Sequence, residues 1–446
     1  MTDKIVVGLD IGTTKICAIV GKRNEYGKIN ILGVGRAESD GVNRGVVVNI
    51  EKTVQAIREA IAEAEKQSGI KIEVVHVGIA GEHVRSMQHK GIITLNHPDL
   101  EIVREDVSRL HNEMFKIATQ PGTEIIHVLP QEYTVDNQGG IVEPVGMSGV
   151  RLEGNFHIVT GQTTAANNIF RCVTRAGLEV TELILEPLAS SSAVLTDEEK
   201  EAGVCLIDIG GGTTDIAIWE NNIIRHTAVI PFGGNIVTED IKQGCKVMKR
   251  HAEALKTQYG SALAEALEED LIISIPGPRD RAAKEISQKM LAQIIQCRME
   301  EILEFVSAEI KNSGYEEKLV AGIVVTGGGA QLANMKQLVE YVTGVDTRIG
   351  FPGEHLASGM VDEVNFPMYA TGTGLVIMGL NSAEYLKRPA QQKAVTQQAP
   401  AIQQSQGYSS EQKSILTTEE RPKFSFIDRV KTWFENTLSN TGDFIE

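Results

Sequence analysis

The segment DIGTTK (10–15) places a carboxylate, a glycine, two hydroxyls and a lysine at the end of an apolar run. A tight turn here would present consecutive backbone N–H groups as a concave anion site, to which Lys15 adds positive charge. Asp10 is suited to holding Mg²⁺ through water, because this ion keeps much of its hydration. Taken alone, the segment is equally typical of an ordinary hairpin turn. The residues that would contact the anion are Gly12, Thr13, Thr14 and Lys15.

The same pattern returns later in the chain. IVVGLDIGTTKICAIV (5–20) and VCLIDIGGGTTDIAIW (204–219) align with Asp10 and Asp208 in register. Each copy is typical of a β-hairpin with a turn of glycine and hydroxyl residues. Two such loops on two similar halves would clamp a phosphate chain from opposite sides, with both aspartates facing one metal ion. The second loop contributes Gly210, Gly211, Gly212, Thr213 and Thr214. For Asp215, packing or a turn hydrogen bond is at least as good an interpretation as nucleotide contact.

A third glycine turn, TGGGA (326–330), ends an apolar run and leads into helical spacing. Glycines let the backbone approach a ligand closely, and a helix N-terminus favours negative charge. Such a turn alone is equally common in tight strand-to-helix connections. Together with the two hairpins, it predicts that Gly327, Gly328 and Gly329 belong to the same site.

The elements that must position these loops form two similar α/β halves, about 1–200 and 201–380. Apolar residues at helical spacing predict helices in each half. Between 83 and 160 the pattern changes to a helix flanked by strands, which predicts an inserted subdomain. The predicted helices lie at 51–67, 101–118 and 285–311.

Composition limits the class of protein. The net charge of −16 argues against a nucleic-acid partner and means that any contact with anionic lipid must be local. Five scattered cysteines argue against a disulfide framework and a zinc site. No signal peptide is visible, and no apolar run approaches the roughly 18–20 residues that span a bilayer. We therefore expect a cytoplasmic protein.

The C-terminal part differs from the rest. Residues 381–420 are rich in Gln, Ala and Ser and predict a flexible linker, whereas 421–446 regains apolar residues at helical spacing. Within RPKFSFIDRVKTWFENTL (421–438), four basic and two acidic residues give a charge of +2. An apolar arc between basic flanks is typical of a helix lying in the lipid interface, although docking onto the protein's own body is the alternative. The arc and flanks comprise Phe426, Ile427, Val430, Trp433, Phe434, Leu438, Arg429 and Lys431.

The three glycine loops resemble the phosphate-1, phosphate-2 and adenosine motifs of the actin, sugar-kinase and heat-shock-chaperone superfamily. EPLASSSAV (186–194) and TGTGLVIMG (371–379) resemble its two connecting segments. The resemblance implies ATP and Mg²⁺ as ligands, with Glu186 orienting water near the γ-phosphate. It also implies that Glu253 and Lys256 contact ribose and base, although the two are equally typical of an exposed i,i+3 pair.

Within the superfamily, the chain most resembles the FtsA family of bacterial cell-division proteins over nearly its whole length. The resemblance implies an α/β, actin-like fold of two duplicated halves, with an inserted α+β subdomain of the 1C type and a C-terminal linker plus amphipathic helix. The implied segments are 1–82 and 161–200 (half I), 83–160 (1C-like insert), 201–240 and 321–380 (half II), 241–320 (helical 2B-like subdomain), 381–420 (linker) and 421–446 (membrane helix).

This resemblance implies a protein that polymerises head to tail on the cytoplasmic face of the bacterial inner membrane at the division site. Its 2B-like region would capture the C-terminal peptide of FtsZ, and other division proteins would be further partners. Arg279, Arg281 and Lys284 are candidates for the FtsZ contact, although they are equally typical of a solvated helix start. We expect slow ATP hydrolysis at most, because Glu186 is the one candidate for positioning water. The alternatives are a pilus-assembly protein of the same fold and a sugar or acetate kinase.

Overall fold

The computed structural model describes residues 4–95, 101–276, 283–357 and 360–385. The predicted membrane helix (421–446), nearly all of the predicted linker, and Arg279 and Arg281 lie outside the described residues. Among those described, no helix is both long and apolar enough to cross a membrane.

The first half is built on a five-stranded sheet in the order β11-β6-β1-β2-β3. β1 and β2 form the predicted hairpin, and β1 also pairs in parallel with β6. The first elements are β1 (Ile5–Ile11), β2 (Lys15–Arg23), β3 (Ile29–Glu38), β4 (Val42–Asn43), β5 (Val46–Val47), α1 (Ile50–Ser68) and β6 (Val74–Ile79).

Helix α1 shows why the sequence folds this way locally. The side chain of Asn49 accepts a hydrogen bond from the N–H of Lys52 at the start, and Gly69 ends the helix in the left-handed conformation with φ of 68°. Its buried residues recur three and four apart, from Val54 to Ala64, and pack against the sheet. The prediction of a helix at 51–67 is therefore confirmed.

The insert forms its own four-stranded antiparallel sheet in the order β7-β10-β8-β9, with one helix packed on it. Its helix is shorter than the predicted 101–118. The elements are β7 (Arg85–Thr94), α2 (Arg104–Met114), β8 (Thr123–Val135), β9 (Gln138–Ile141) and β10 (Arg151–Gln162). The chain then completes the first half with α3 (Thr163–Ala176), β11 (Glu179–Leu185), α4 (Glu186–Val194) and α5 (Asp197–Ala202).

The second half repeats the first: its sheet runs β14-β13-β12-β17-β18, and both sheets have two antiparallel pairs followed by two parallel pairs. The predicted duplication of an α/β fold is thus confirmed. The elements are β12 (Val204–Ile209), β13 (Thr214–Glu220), β14 (Ile223–Ile230), α6 (Gly234–Gly244), α7 (Lys249–Tyr259), β15 (Ile272–Ile275), β16 (Lys284–Ser287), α8 (Gln288–Ser313), β17 (Ile323–Thr326), α9 (Met335–Thr343), β18 (Thr347–Ile349), α10 (Val361–Val364) and α11 (Ala370–Tyr385).

Three further predictions of where elements begin are wrong. Residues 285–287 are strand rather than helix, because β16 pairs with β15 and Ser287 then caps α8. The glycines of 326–330 do not open an α-helix directly, since a short 3-10 turn, Gly328–Gln331, precedes α9. The linker cannot begin at 381, because α11 continues to Tyr385.

Candidate functional site

The two predicted hairpin loops close in the same way. The N–H of Gly12 donates to the carbonyl of Lys15 at 3.1 Å, and the N–H of Gly210 donates to the carbonyl of Thr213 at 2.9 Å. Each loop lies where a central strand of its half turns back, so that the duplicated fold aims both loops at the same space. In the part of the chain that the structure describes, the N–H groups of Thr13 and Gly211 donate to no protein acceptor. These groups remain available to an anion.

The loops also touch each other across the two halves. A Cβ atom on Gly211 would lie 2.4 Å from Cγ2 of Thr14, and one on Gly212 would lie 2.5 Å from Oγ1 of Thr13. Real side chains do not approach so closely, so glycine is needed at both positions for the loops to meet. The second copy of the motif therefore carries two more glycines than the first, at the positions where the loops meet.

Between the loops lies a cavity of about 110 Å³. Most of the residues predicted from the three glycine motifs line it, together with Glu186. The predicted residues found there are Asp10, Gly12, Thr13, Thr14, Lys15, Glu186, Asp208, Gly210, Gly211, Gly212, Thr213, Gly327 and Gly328. Asp215, for which nucleotide contact is one of two interpretations, also lines the cavity. The lining residues that sequence reasoning missed are Ile11, Gly45, Ala80, Pro367, Met368 and Thr371.

Four of the lining side chains are carboxylic acids. Asp10, Asp208 and Asp215 are only 6%, 7% and 4% exposed, and Glu186 is partly buried. Among the described lining residues Lys15 is the one basic side chain, and its Nζ lies 3.3 Å from Oδ2 of Asp10. Burial lowers the pKa of Lys15, but Asp10 and further neighbours outweigh that effect and the pKa is raised. The cavity therefore holds a surplus of acid.

Asp208 is held firmly. The hydroxyl of Ser190 donates to its Oδ2 at 2.5 Å, and that of Thr371 donates to the same atom at 3.3 Å. These two residues come from α4 and α11, so both connecting helices reach the site. Burial raises the pKa of Asp208, the Ser190 hydrogen bond opposes this, and the charge of Asp10 adds to the rise.

Glu186 and Asp215 are less well compensated. Burial, followed by the charges of the neighbouring aspartates, raises the pKa of both carboxyls well above their ordinary values. Asp215 accepts one hydrogen bond, from Thr213 at 3.2 Å, whereas its Oδ1 is buried without a partner among the described residues. A buried acceptor of this kind normally has a partner, so the cavity is suited to a cation.

The acids do not form a ready-made coordination sphere. Across the described ranges no three His, Cys, Asp or Glu side chains converge closely enough to hold one ion directly. The arrangement suits an ion that keeps its own water molecules, as Mg²⁺ does.

Four predicted site residues do not line the cavity. Thr214 donates its hydroxyl to the carbonyl of Phe232 at 2.9 Å, away from the loops. Gly329 packs on Ile209, where a Cβ would lie 2.4 Å from Cγ2. Glu253 and Lys256 form a 2.8 Å ion pair on α7. The pair is partly buried, so it differs from the exposed pair that the sequence also allowed.

Lys256 lies behind the second loop rather than in the cavity. Its Nζ donates to the carbonyl of Gly234 at 3.0 Å and to the hydroxyl of Thr238 at 2.9 Å. The N–H of Gly234 in turn donates to the carbonyl of Gly210 at 2.9 Å. Lys256 thus supports the start of α6, which supports the loop.

Comparisons with known proteins agree with this arrangement. The family model "Cell division protein FtsA" matches residues 205–374, and the model "SHS2 domain inserted in FTSA" matches residues 81–160, the insert. Relatives named Cell division protein FtsA are 41% identical in Pseudomonas aeruginosa, covering 98% of both chains, and 39% in Neisseria meningitidis, covering 96% of this chain and 98% of the relative. The relative in Escherichia coli strain K12 is 37% identical, covering 85% and 91%.

Solved structures share the fold at low identity. The PilM-PilN type IV pilus biogenesis complex matches with a TM-score of 0.61 at 15% identity, covering 84% of this chain and 98% of the other. MreB5 of Spiroplasma citri bound to ADP matches with a TM-score of 0.52 at 16% identity, covering 85% and 97%. Identity of 41% along nearly the whole chain decides the family, whereas these structures decide only the fold: the chain belongs to the FtsA family of cell-division proteins, and its two halves have the actin-like fold.

Proposed function

We propose that the cavity binds ATP with Mg²⁺. This proposal rests on two glycine–threonine loops, one from each half, that meet at a single cavity. Four acidic side chains and one basic side chain line that cavity. The loop N–H groups and Lys15 would hold phosphate oxygens, while Asp10 and Asp208 would hold the ion through water. The ion would neutralise the surplus acid and supply positive charge to the phosphates.

The nucleoside would lie beyond the phosphates, along the third glycine turn. Gly328 lines the cavity, and a Cβ built on it would have no atom within 4 Å, so there is open space for a ligand. Glu253 and Lys256 would contact ribose and base from α7, as the family resemblance implies. Glu186 would orient water, and a bound cation would oppose the burial and the neighbouring charges that raise its pKa. Because Glu186 is the one candidate for this role, we propose slow hydrolysis at most.

The test is isothermal titration of the full-length protein with ATP, with and without Mg²⁺. We expect saturable binding that weakens by more than about tenfold without the ion, because the phosphates would then face uncompensated carboxylates. Asp208→Ala should weaken binding similarly. Equal affinity with and without Mg²⁺ would contradict the assigned role of the acidic cluster.

We further propose that the protein forms head-to-tail filaments on the cytoplasmic face of the bacterial inner membrane at the division site, and anchors FtsZ filaments there. Family membership supports this role over pilus assembly, since the likeness to PilM is one of fold. The insert would form one side of the subunit contact, and such a heterologous contact that does not close gives filaments. The membrane contact would be made by the amphipathic segment 421–446.

Liposome sedimentation tests the membrane contact. Six large apolar side chains in the interface would contribute several kcal/mol per copy, and polymerisation would raise the avidity. The intact chain should bind anionic liposomes, whereas a chain ending at Glu420 and a Trp433→Glu variant should not. Equal sedimentation of all three would refute the tether.

For FtsZ, the described part of the 2B-like region offers an exposed apolar surface. Leu271 and Ile272 are 52% and 59% exposed, and Met290 is 39% exposed. The segment that carries Leu271 and Ile272 adjoins the start of α8, which carries Met290, because the N–H of Gln288 donates to the carbonyl of Leu271 at 2.9 Å. Exposed Lys284 pairs with Ile275 and therefore lies on the other face of the β15–β16 pair from Ile272. An extended peptide with apolar side chains fits the surface formed by Leu271, Ile272 and Met290, which we call the hairpin surface.

A further inference from the structure

One wall of the cavity is a short hairpin that the sequence did not single out. β4 and β5 pair over only two residues each and leave Arg44 and Gly45 as the turn. Both turn residues have positive φ, 48° for Arg44 and 75° for Gly45. This is the geometry of a type I′ turn, and Gly45 itself lines the cavity.

Arg44 is an uncommon residue for this position. The first central position of a type I′ turn favours Asn, Asp or Gly, because a long side chain rarely adopts the left-handed conformation. The preceding residue, Asn43, would suit the position better and lies one place away. An observed backbone outlier beside a ligand cavity is a reason to look for a function of the side chain.

The tip of the hairpin lies between the two phosphate loops. The N–H of Gly45 donates to Oγ1 of Thr13 in the first loop at 3.3 Å. A Cβ on Gly212 in the second loop would lie 2.9 Å from both the N and the Cα atoms of Arg44. The Arg44 backbone is thus packed against both halves at the site where they meet.

The guanidinium of Arg44, by contrast, is held loosely. Its Cζ lies 5.7 Å from the ring centroid of Phe232, and its Nη1 lies 3.9 Å from Oε2 of Glu82. The side chains of Arg44 and Glu82 are 45% and 53% exposed. Cation–π contacts and exposed ion pairs of this kind are weak. A phosphate group, which accepts two parallel hydrogen bonds from a guanidinium, would bind it more strongly.

The charge balance of the cavity favours a second basic side chain beside a bound phosphate. Lys15, the one basic side chain among the described lining residues, is already paired with Asp10. A triphosphate with Mg²⁺ still carries net negative charge, most of it on the terminal phosphate. Arg44 directly precedes Gly45, which lines the cavity, and its guanidinium would lose only weak contacts by turning toward a phosphate.

We propose that Arg44 is a specificity residue that turns from Phe232 and Glu82 to the terminal phosphate of a bound triphosphate, and thereby distinguishes ATP from ADP. This inference rests on the proposed ATP site. Because Phe232 belongs to the second half and the hairpin to the first, the same movement changes a contact between the halves.

The test compares the affinities for Mg·ATP and Mg·ADP, by calorimetry on the full-length chain without lipid. Arg44→Asn removes the guanidinium while placing a favoured residue in the turn, so the variant should fold with an unchanged or higher melting temperature. We expect the variant to bind ATP about 10- to 100-fold more weakly than the wild type, because charged hydrogen bonds to the terminal phosphate are lost. Its affinity for ADP should stay within about twofold of the wild-type value. Arg44→Lys, which keeps the charge without the fork, should fall between.

The control is Lys52→Asn, which removes a neighbouring exposed charge that pairs with Asp40. It should bind both nucleotides like the wild type. Unchanged ATP affinity in Arg44→Asn would overturn the proposal, as would equal losses for ATP and ADP or the same loss in the control. A wild-type chain that binds neither nucleotide would instead overturn the ATP site itself.

Discussion

Asp208 and Asp215 lie directly opposite each other on the antiparallel strands β12 and β13, and both line the cavity. Opposite side chains in such a pair lie on one face of the sheet, where like charges repel. Asp208 has two hydroxyl donors, whereas Asp215 has one oxygen without a partner among the described residues. The ligand-free protein therefore tolerates a destabilising pair that a cation would relieve.

We predict that Asp215→Asn stabilises the ligand-free protein. Burial, then the charge of Asp208, raises the pKa of Asp215. Below the ordinary carboxyl pKa of about 4, folded and unfolded chains both keep the proton. As the pH rises from there through the raised pKa of the folded chain, the unfolded chain releases its proton first, so the wild type loses stability. The gain in the free energy of unfolding, about 1–2 kcal/mol, should be larger at pH 8 than at pH 5.

Urea unfolding without Mg²⁺ at both pH values measures this gain. The exposed Asp197→Asn is the matched control and should change little at either pH. Mg²⁺-dependent ATP affinity should fall in Asp215→Asn. A gain that does not depend on pH would show that charge is not its cause.

Gly328→Asp should abolish ATP binding without unfolding the protein. Its backbone is outside the left-handed region and a Cβ there meets nothing within 4 Å, so either Ala or Asp fits the ligand-free fold. The added carboxylate would face phosphates in a cavity already rich in acid. ATP affinity should drop by more than about 100-fold for Asp and by less than about tenfold for Ala, with melting temperatures within about 2 °C of the wild type. Unchanged ATP affinity in Gly328→Asp would remove the third glycine turn from the site.

His157 is predicted to make the contact between insert and second half sensitive to acid. Its Nε2 and Oγ1 of Thr227 on β14 are hydrogen bonded at 2.9 Å, and burial lowers its pKa to about 4, with a smaller effect from His226. The folded chain then resists protonation while the unfolded chain takes up a proton near pH 6.5. Stability is lost as pH falls from about 6.5 to about 4, by up to about 3 kcal/mol from this residue.

His157→Gln should reduce this acid dependence at a cost of about 1–2 kcal/mol at pH 7.5. The imidazole is hydrogen bonded to Gln88 at 3.4 Å as well as to Thr227, and glutamine cannot reproduce both bonds. The comparison is made by urea unfolding at pH 7.5 and 5. His89→Gln is the control, since His89 lies exposed on the same sheet. If both variants keep the wild-type acid dependence, His157 is not its source.

The hairpin surface predicts a defect in FtsZ binding that leaves the nucleotide site intact. Ile272→Glu should weaken binding of a labelled FtsZ C-terminal peptide by at least about tenfold, because it replaces an apolar anchor with a charged side chain. Fluorescence anisotropy measures this, with ATP affinity as the internal check. Val320→Glu, at an 82% exposed position elsewhere on the second half, should bind the peptide normally. Normal binding by Ile272→Glu would place the peptide elsewhere.

The duplicated hairpins account for most of what could be predicted from the sequence. The repeated apolar runs around Asp10 and Asp208 predicted the two hairpins and the two similar halves, and glycine runs marked where backbones approach closely. Asp215 could also have been assigned, because a turn that pairs Ile209 with Thr214 places the next pair, Asp208 and Asp215, on the opposite face. The same register sends Thr214 away from the cavity.

Other features depend on contacts that no local pattern contains. Gly45 and Thr371 reach the cavity from segments far apart in sequence, through packing of a two-residue hairpin and of α11. The strand at 284–287 reads as the start of α8, since its apolar residue Ile286 continues the helical spacing. Only its partner, β15, shows that it is a strand.

The insert lies against the edge strand of the second sheet. β14 is the last strand of its sheet, and the carbonyls of its outer side accept hydrogen bonds from side chains of the insert: Ser86 bonds Thr227 at 2.9 Å, Gln88 bonds Arg225 at 3.3 Å and Gln131 bonds Ile224 at 2.9 Å. An open edge of this kind invites strand pairing with another molecule and leads to aggregation. The insert covers this edge, so it protects the second sheet from strand pairing with another molecule.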